Sequence, residues 1–172
     1  MFLNKSLQEV QTLLNEALIE EPGLNLASFA QSQGLTEGEV TMALPTQLVA
    51  SCAGQHAETI LTQLPDWGDV TTIVHSFGSI FEFKAPFPKG KLDHGYYNIM
   101  GKAGLHGHLR LDLVEQIAFV SKPFHGMQTH YIGFYNPTGE CVFKVYLGRD
   151  KKRQLLPEQV THFHTLQQEL CA

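Results

Sequence analysis

Between Trp67 and Asp112 the chain reads W-G-D-V-T-T-I-V-H-S-F-G-S-I-F-E-F, then a Pro/Lys/Gly-rich turn, then H-G-Y-Y-N-I-M-G-K-A-G-L-H-G-H-L-R-L-D. Four of the nine histidines and the adjacent pair Tyr96-Tyr97 fall here, in short segments separated by glycines. Imidazoles and phenols at this density point to the chemistry of a metal or a metallo-cofactor, although His75, projecting among apolar neighbours, reads from its strand alone either as a ligand or as a core residue satisfied by one hydrogen bond. His75 ends the run T-T-I-V-H and His108 opens H-L-R-L, both rich in residues that favour strands, so a sheet can fix both rings before a ligand arrives. In L-H-G-H-L-R-L the residues alternate, placing His106, His108, Arg110 and Asp112 on one face and Leu105, Leu109 and Leu111 on the other. Tyr96 and Tyr97, as neighbours on a strand, must face opposite sides.

These residues need elements to hold them. Ser6 to Glu20 carries Leu7, Val10, Leu14, Ala17 and Leu18 at helical spacing, with Ser6 and Glu9 forming a capping box and Pro22-Gly23 ending the turn. A second helix is expected to stop at Gly34, and a third to start at Thr36 and end before Pro45. The outline is that of a helix-turn-helix. Its second helix, however, offers Glu37, Glu39 and Thr41 and no Lys or Arg, and phosphate contacts supply most of the affinity for DNA. A helical cap on a sheet is the reading that fits, with no nucleic acid as partner. Gln47 to Leu64 reads as a further helix. From Asp69 the period becomes that of strands, with V-T-T-I-V-H-S, S-I-F-E-F-K, a segment at His94 to Met100, one at Leu105 to Leu111, and Val114 to Val120. A hairpin follows, Gln128 to Tyr135 and Cys141 to Leu147 about Asn136-Pro137-Thr138-Gly139, and a last helix begins at Pro157.

The fold class expected is α+β: N-terminal helices, a large curved and mostly antiparallel sheet of seven to nine short strands, and a C-terminal helix. Residues 1–172 form one domain on this reading, with 1–64 a helical cap and 65–172 the sheet and terminal helix. A long sheet with open edges is also a reason to expect a homodimer.

Charge and composition narrow the function. Residues 1–83 hold ten acidic residues and one lysine, whereas residues 84–172 hold seven acidic and eleven basic ones. A basic second half suits an anionic ligand. No apolar run is long enough to span a membrane, and Met1 to Ser6 lacks the apolar stretch of a secretory leader, so a cytoplasmic protein without membrane insertion is expected. Three cysteines without C-x-x-C spacing argue against both a disulfide framework and a zinc knuckle. Phosphate-binding loops, dinucleotide fingerprints, nucleophile elbows and H-E-x-x-H are missing as well. What remains is a sheet pocket with His and Tyr ligands, apolar walls from Ile73, Phe77, Phe81 and Phe83, and cations. Haem needs those three things: an axial ligand, a dry slot for the macrocycle, and charge for two propionates. The His-x-His spacing also resembles cupin-like non-haem metal enzymes, but those expect a nearby glutamate and a second patterned motif, and Glu115 comes late with no second motif behind it.

The segments W-G-D-V-T-T-I-V-H, H-G-Y-Y-N-I-M-G-K-A-G-L-H-G-H and L-G-R-D-K-K-R-Q-L-L-P-E-Q-V resemble the haem-utilisation cytosolic carrier family of the HutX/ChuX type, over nearly the whole chain. The resemblance implies an intracellular, non-enzymatic protein that binds haem as cargo, passes it to a haem-degrading partner and forms a homodimer. It places candidate axial ligands on His75 and His108, and in some relatives on the tyrosine that corresponds to Tyr96 or, less readily, Tyr97. Arg110, with Lys102 behind it, is the candidate for propionate contact. The alternative is a haem-degrading or haem-modifying enzyme, since the same ligands can hold haem for oxygen chemistry. A carrier must release its cargo, so a single dominant axial ligand and a partly open pocket are expected.

Overall fold

Local signals in the chain account for most element boundaries. The computed structural model describes residues 5–171; Met1 to Asn4, on which the reading of the leader partly rests, and Ala172 lie outside it. Helix α1 (Leu7–Glu20) starts at Ser6, whose hydroxyl accepts from the Glu9 amide while the Glu9 carboxylate accepts from the Ser6 amide. The same reciprocal cap, Thr36 with Glu39, opens α3 (Glu37–Met42), and Gly34 in the left-handed conformation closes α2 (Leu26–Gln33). The segment expected as one helix over Gln47 to Leu64 divides instead into strand β1 (Val49–Ala53) and helix α4 (Ala57–Gln63). Gly54 is the reason for the break: a β-carbon there would meet the Val114 carbonyl oxygen at 1.8 Å, so β1 must turn away at a glycine.

The remaining strands are β2 (Asp69–Ser76), β3 (Ser79–Pro86), β4 (Gly90–Asp93), β5 (Tyr96–Ile99), β6 (Gly107–Leu109), β7 (Gln116–Phe124), β8 (Met127–Tyr135) and β9 (Cys141–Tyr146), followed by α5 (Pro157–Leu170). They form two antiparallel sheets rather than one. The large sheet has the order β1-β7-β8-β9-β2-β3, and the small one β4-β5-β6. Three hairpins turn on a two-residue loop whose second residue is glycine, at Phe77-Gly78, His94-Gly95 and His125-Gly126, and all six residues have positive φ. Such loops match the twist of the strands they join and set each register without slack. They also hold His94 and His125 out at hairpin tips.

Each face of the large sheet has its own core. On one face, Ala118, Val120, Tyr131 and Tyr135 pack against Val10, Leu14, Leu26, Ala30 and Val40 of α1–α3. On the other, Val70, Phe119, Ile132, Phe134, Phe143 and Val145 pack against Ile60, Leu61, Phe163 and Leu166 of α4 and α5 and against Tyr97 and Ile99 of the small sheet. The helix-turn-helix outline is therefore a cap. Glu37 and Glu39 of α3 are buried, and the Glu37 carboxylate pairs with the Lys144 ammonium on the sheet. Gln159 of α5 fastens the second face: its amide accepts from the Gly148 N–H and donates to the carbonyls of Trp67 and Asp69, at 2.7 to 2.9 Å.

Candidate functional site

The small sheet builds one cluster of potential ligands. Because side chains alternate along β5, Tyr97 and Ile99 point into the core while Tyr96 and Asn98 point outward. His108 of β6 lies directly opposite Asn98, and its ring sits edge-on to Tyr96 with centroids 5.9 Å apart. His106 adds a third ring at 6.3 Å from His108. Arg110 follows β6 with its guanidinium carbon 5.8 Å from the Tyr96 ring centroid. An open pocket of about 490 Å³ is bounded by Leu92, His94, Tyr96, Arg110 and Asp112.

Hydrogen bonds decide which nitrogen of His108 is free. The Asn98 amide nitrogen donates to the carbonyls of Lys91, Asp93 and Tyr96, at 3.4, 3.1 and 3.1 Å. Three carbonyl acceptors fix the amide orientation, so its oxygen is the atom that meets His108 Nδ1, at 2.6 Å. An amide oxygen can only accept. Nδ1 therefore carries the proton, and Nε2 of the neutral ring keeps its lone pair for a metal. Sequence reading did not single out Asn98. The signal that could have found it is its two-residue spacing from Tyr96, which puts both on one face of a four-residue strand.

Arg110 is not a free cation. Its Nε and Nη2 donate to the two carboxylate oxygens of Asp112 at 2.7 and 2.5 Å. That bidentate pair holds the guanidinium above its ordinary pKa, with the Tyr96 phenol adding to it, and holds Asp112 below the usual carboxylate range. A propionate at Arg110 would have to share it with Asp112.

His75 stands elsewhere. On β2, Val70 and Val74 belong to the core that the small sheet covers, so His75 points to the opposite face, towards the helical cap. It is half-buried, and burial, with Lys144 nearby, holds its pKa below the ordinary imidazole value, leaving the ring neutral. Between His75 and the Tyr96/His108 pair lie the thickness of the large sheet and the apolar layer beneath the small one. Within one chain the two groups cannot ligate one iron. Lys102 is exposed in the connection between β5 and β6. The apolar walls expected for one pocket also divide. Ile73 shares the face of His75, Phe81 and Phe83 lie on the opposite face, and Phe77 is fully exposed at the β2–β3 turn. The cause is the register, in which Val74 pairs with Phe81 and Thr72 with Phe83. As for the cupin alternative, no three His, Cys, Asp or Glu side chains converge as a metal group among the described residues.

Residues 50–166 match the haem utilisation ChuX/HutX family. The chain belongs to that family. It is 51% identical to the intracellular heme transport protein HutX of Vibrio cholerae serotype O1 over 168 residues, covering 97% of this chain and 87% of the relative. Among solved structures, a protein from Erwinia carotovora superposes with a TM-score of 0.86 at 39% identity, covering 91% of this chain and 98% of that one. The heme-binding protein ChuX gives 0.82 at 36%, covering 93% and 97%. ChuX/HutX membership agrees with the α+β class, the large antiparallel sheet and the terminal helix expected of the sequence. No helix among the described residues is long and apolar enough to cross a membrane.

Proposed function

We propose that this chain is a cytoplasmic haem carrier, a single binding domain that takes up haem as cargo and delivers it to a haem-degrading enzyme. The observation that carries the reading is the outward ridge of Tyr96 and His108, with Nε2 of His108 freed by the Asn98 oxygen bonded to Nδ1. It gives one phenol and one imidazole as axial candidates beside a pocket of haem-binding size. His75, on the other face, would serve a separate or transient contact, and Arg110 and Lys102 would meet propionates. The relative's description as an intracellular heme transport protein supports transport and an intracellular place.

A binding role is supported by the openness of the ridge. Tyr96 is 40% exposed and His108 is exposed as well, which suits release of bound haem to an acceptor; turnover of haem with reductant and oxygen to a tetrapyrrole product would favour an enzyme instead. A homodimer fits the same picture: β3 ends the large sheet with both faces open, and Phe77, Ile80 and Phe81 are exposed beside its turn.

Haemin titration of the purified protein, followed by absorbance, tests the proposal on the wild type and on Tyr96→Phe, His108→Ala and His75→Ala. Saturation near one haem per chain is expected, with the Soret and charge-transfer bands altered by Tyr96→Phe or His108→Ala. Identical spectra in all four proteins, or no saturation, would overturn it.

A further inference from the structure

Helix α3 buries two carboxylates, and among the described residues only one of them has a cation. Glu37 pairs with the Lys144 ammonium on the sheet. Glu39, only 6% exposed, does not share it. Its Oε2 accepts from the Thr36 amide at 2.8 Å and from the Thr36 hydroxyl at 3.1 Å, which completes the helix cap. Its Oε1 is buried with no donor, and no Lys, Arg or His among the described residues pairs with the group. A buried carboxylate keeps its charge only where donors or a cation replace the water it has lost.

Glu39 also lines a pocket of about 490 Å³ bounded by α1, α3, the start of β7 and the turn between β8 and β9. Leu7, Met42 and Pro137 give the pocket apolar walls, Glu115 stands exposed at its rim, and none of its lining side chains is cationic. The frame is tightly set. The Gly38 amide donates to the Gly139 carbonyl at 2.8 Å, and a β-carbon on Gly38 would meet that oxygen at 2.6 Å, so helix and turn approach this closely only at a glycine. Asn136 braces the turn, its Oδ1 accepting from the Thr138 amide, the Thr138 hydroxyl and the Glu140 amide at 2.8 to 3.0 Å.

Two carboxylates beside apolar walls do not suit a divalent metal ion, which needs further oxygen ligands, and Asn136 Oδ1 is already taken by three donors. They suit a primary ammonium on a hydrocarbon stem, whose N–H groups donate to the acids while its methylenes lie on the apolar walls. We infer that this pocket binds an alkylammonium group, carried by a free diamine or by a lysine of a partner protein, with the cation held between Glu39 and Glu115. The pocket lies on the helical-cap side of the large sheet, whereas Tyr96 and His108 belong to the small sheet on the other side, so the inference does not rest on the haem reading.

Calorimetric titration of the wild type, Glu39→Gln and Glu115→Gln with cadaverine and with Nα-acetyl-lysine methylamide tests it. Saturable binding of at least one amine by the wild type is expected. Loss of a charge-assisted hydrogen bond should raise Kd about tenfold in Glu39→Gln, and about threefold at the exposed Glu115→Gln. Tighter binding of cadaverine would identify a free diamine as the source of the ammonium, and tighter binding of the lysine amide a protein side chain. Glutamine at position 39 keeps the helix cap, because its amide oxygen also accepts from Thr36; if Glu39→Gln nevertheless melts early, Glu115→Gln decides the matter. No saturable binding of either amine, an unchanged Kd in either variant, or tighter binding of calcium ion than of both amines would overturn the inference. Haemin titrations of the same variants are expected to match the wild type, so this inference and the carrier reading can fail separately.

Discussion

Replacing Asn98 by leucine removes the acceptor that fixes His108, while touching neither candidate ligand. In the native site the 2.6 Å contact holds the Nδ1 proton in place and aims Nε2 outward. Without it the ring is free to rotate and to exchange tautomers, and a share of the molecules presents a protonated nitrogen to the metal. Loss of such an outer-shell partner costs about 10–100-fold in metal affinity, which is about 1.4–2.8 kcal/mol of binding free energy. The variant also loses three amide donations to Lys91, Asp93 and Tyr96 at the exposed β4–β5 hairpin. Each bond is worth about 0.5–1.5 kcal/mol, so the melting temperature must be measured alongside. Competitive haemin titration gives the affinity, and the absorption spectrum shows whether the ligand has changed. The expected result is a 10–100-fold weaker complex with a spectrum shifted towards that of His108→Ala. Asn98→Leu binding haemin with native affinity and spectrum, while His108→Ala does not, would refute the argument from tautomer and orientation.

The buried Glu37–Lys144 pair yields a stability test. Burial alone would lower the Lys144 pKa, and the Glu37 carboxylate more than offsets it, so the ammonium stays charged. Glu37→Gln strands that charge, and urea unfolding should show a loss of about 3–5 kcal/mol, with Glu37→Leu/Lys144→Met recovering most of it; a loss under about 1 kcal/mol in Glu37→Gln would contradict the pairing. His75 and His130 both have pKa values held below 6.5, chiefly by burial, with Lys144 adding at His75, and His164 and Arg149 at His130. The unfolded chain then binds more protons than the fold, so stability is full above pH 6.5 and falls as pH drops from there through the two folded-state values. Urea midpoints at pH 8 and pH 5 should therefore differ less in His75→Phe/His130→Phe than in the wild type, and an equal difference in both would count against it. Phe77→Asp/Phe81→Asp, at the exposed β2–β3 hairpin, is expected to turn the proposed dimer into a monomer by light scattering; a wild type already monomeric at high concentration would end that proposal.

Helix starts and stops were legible in the chain because capping is local: Ser6 with Glu9, Thr36 with Glu39, and Gly34 each act within four residues. The opposite facing of Tyr96 and Tyr97 was legible for the same kind of reason, since alternation needs only a strand. Segment 47–64 was misread as one helix because its break depends on the approach of Val114, some sixty residues away in the chain. The division into two sheets also lay beyond local patterning, as strand periodicity does not say which strands pair. X-Gly loops at 77–78, 94–95 and 125–126 were a local signal passed over, and they explain why two histidines sit at hairpin tips.

For the site, residue types and alternation determined that the stretch from Trp67 to Asp112 carries imidazole, phenol and guanidinium groups in positions that strands can hold. Tertiary structure alone decided their grouping. Tyr96 and His108 meet because β5 pairs with β6, and His75 is parted from them because β2 belongs to a different sheet whose other face it occupies. It also decided the chemical state of each group: Arg110 is committed to Asp112, and His108 is primed by Asn98. Local pattern fixes which side of a strand a residue takes, since that is set by backbone geometry one residue at a time. Which ligands face one another follows from pairings between distant segments, and those are settled only when the two cores close.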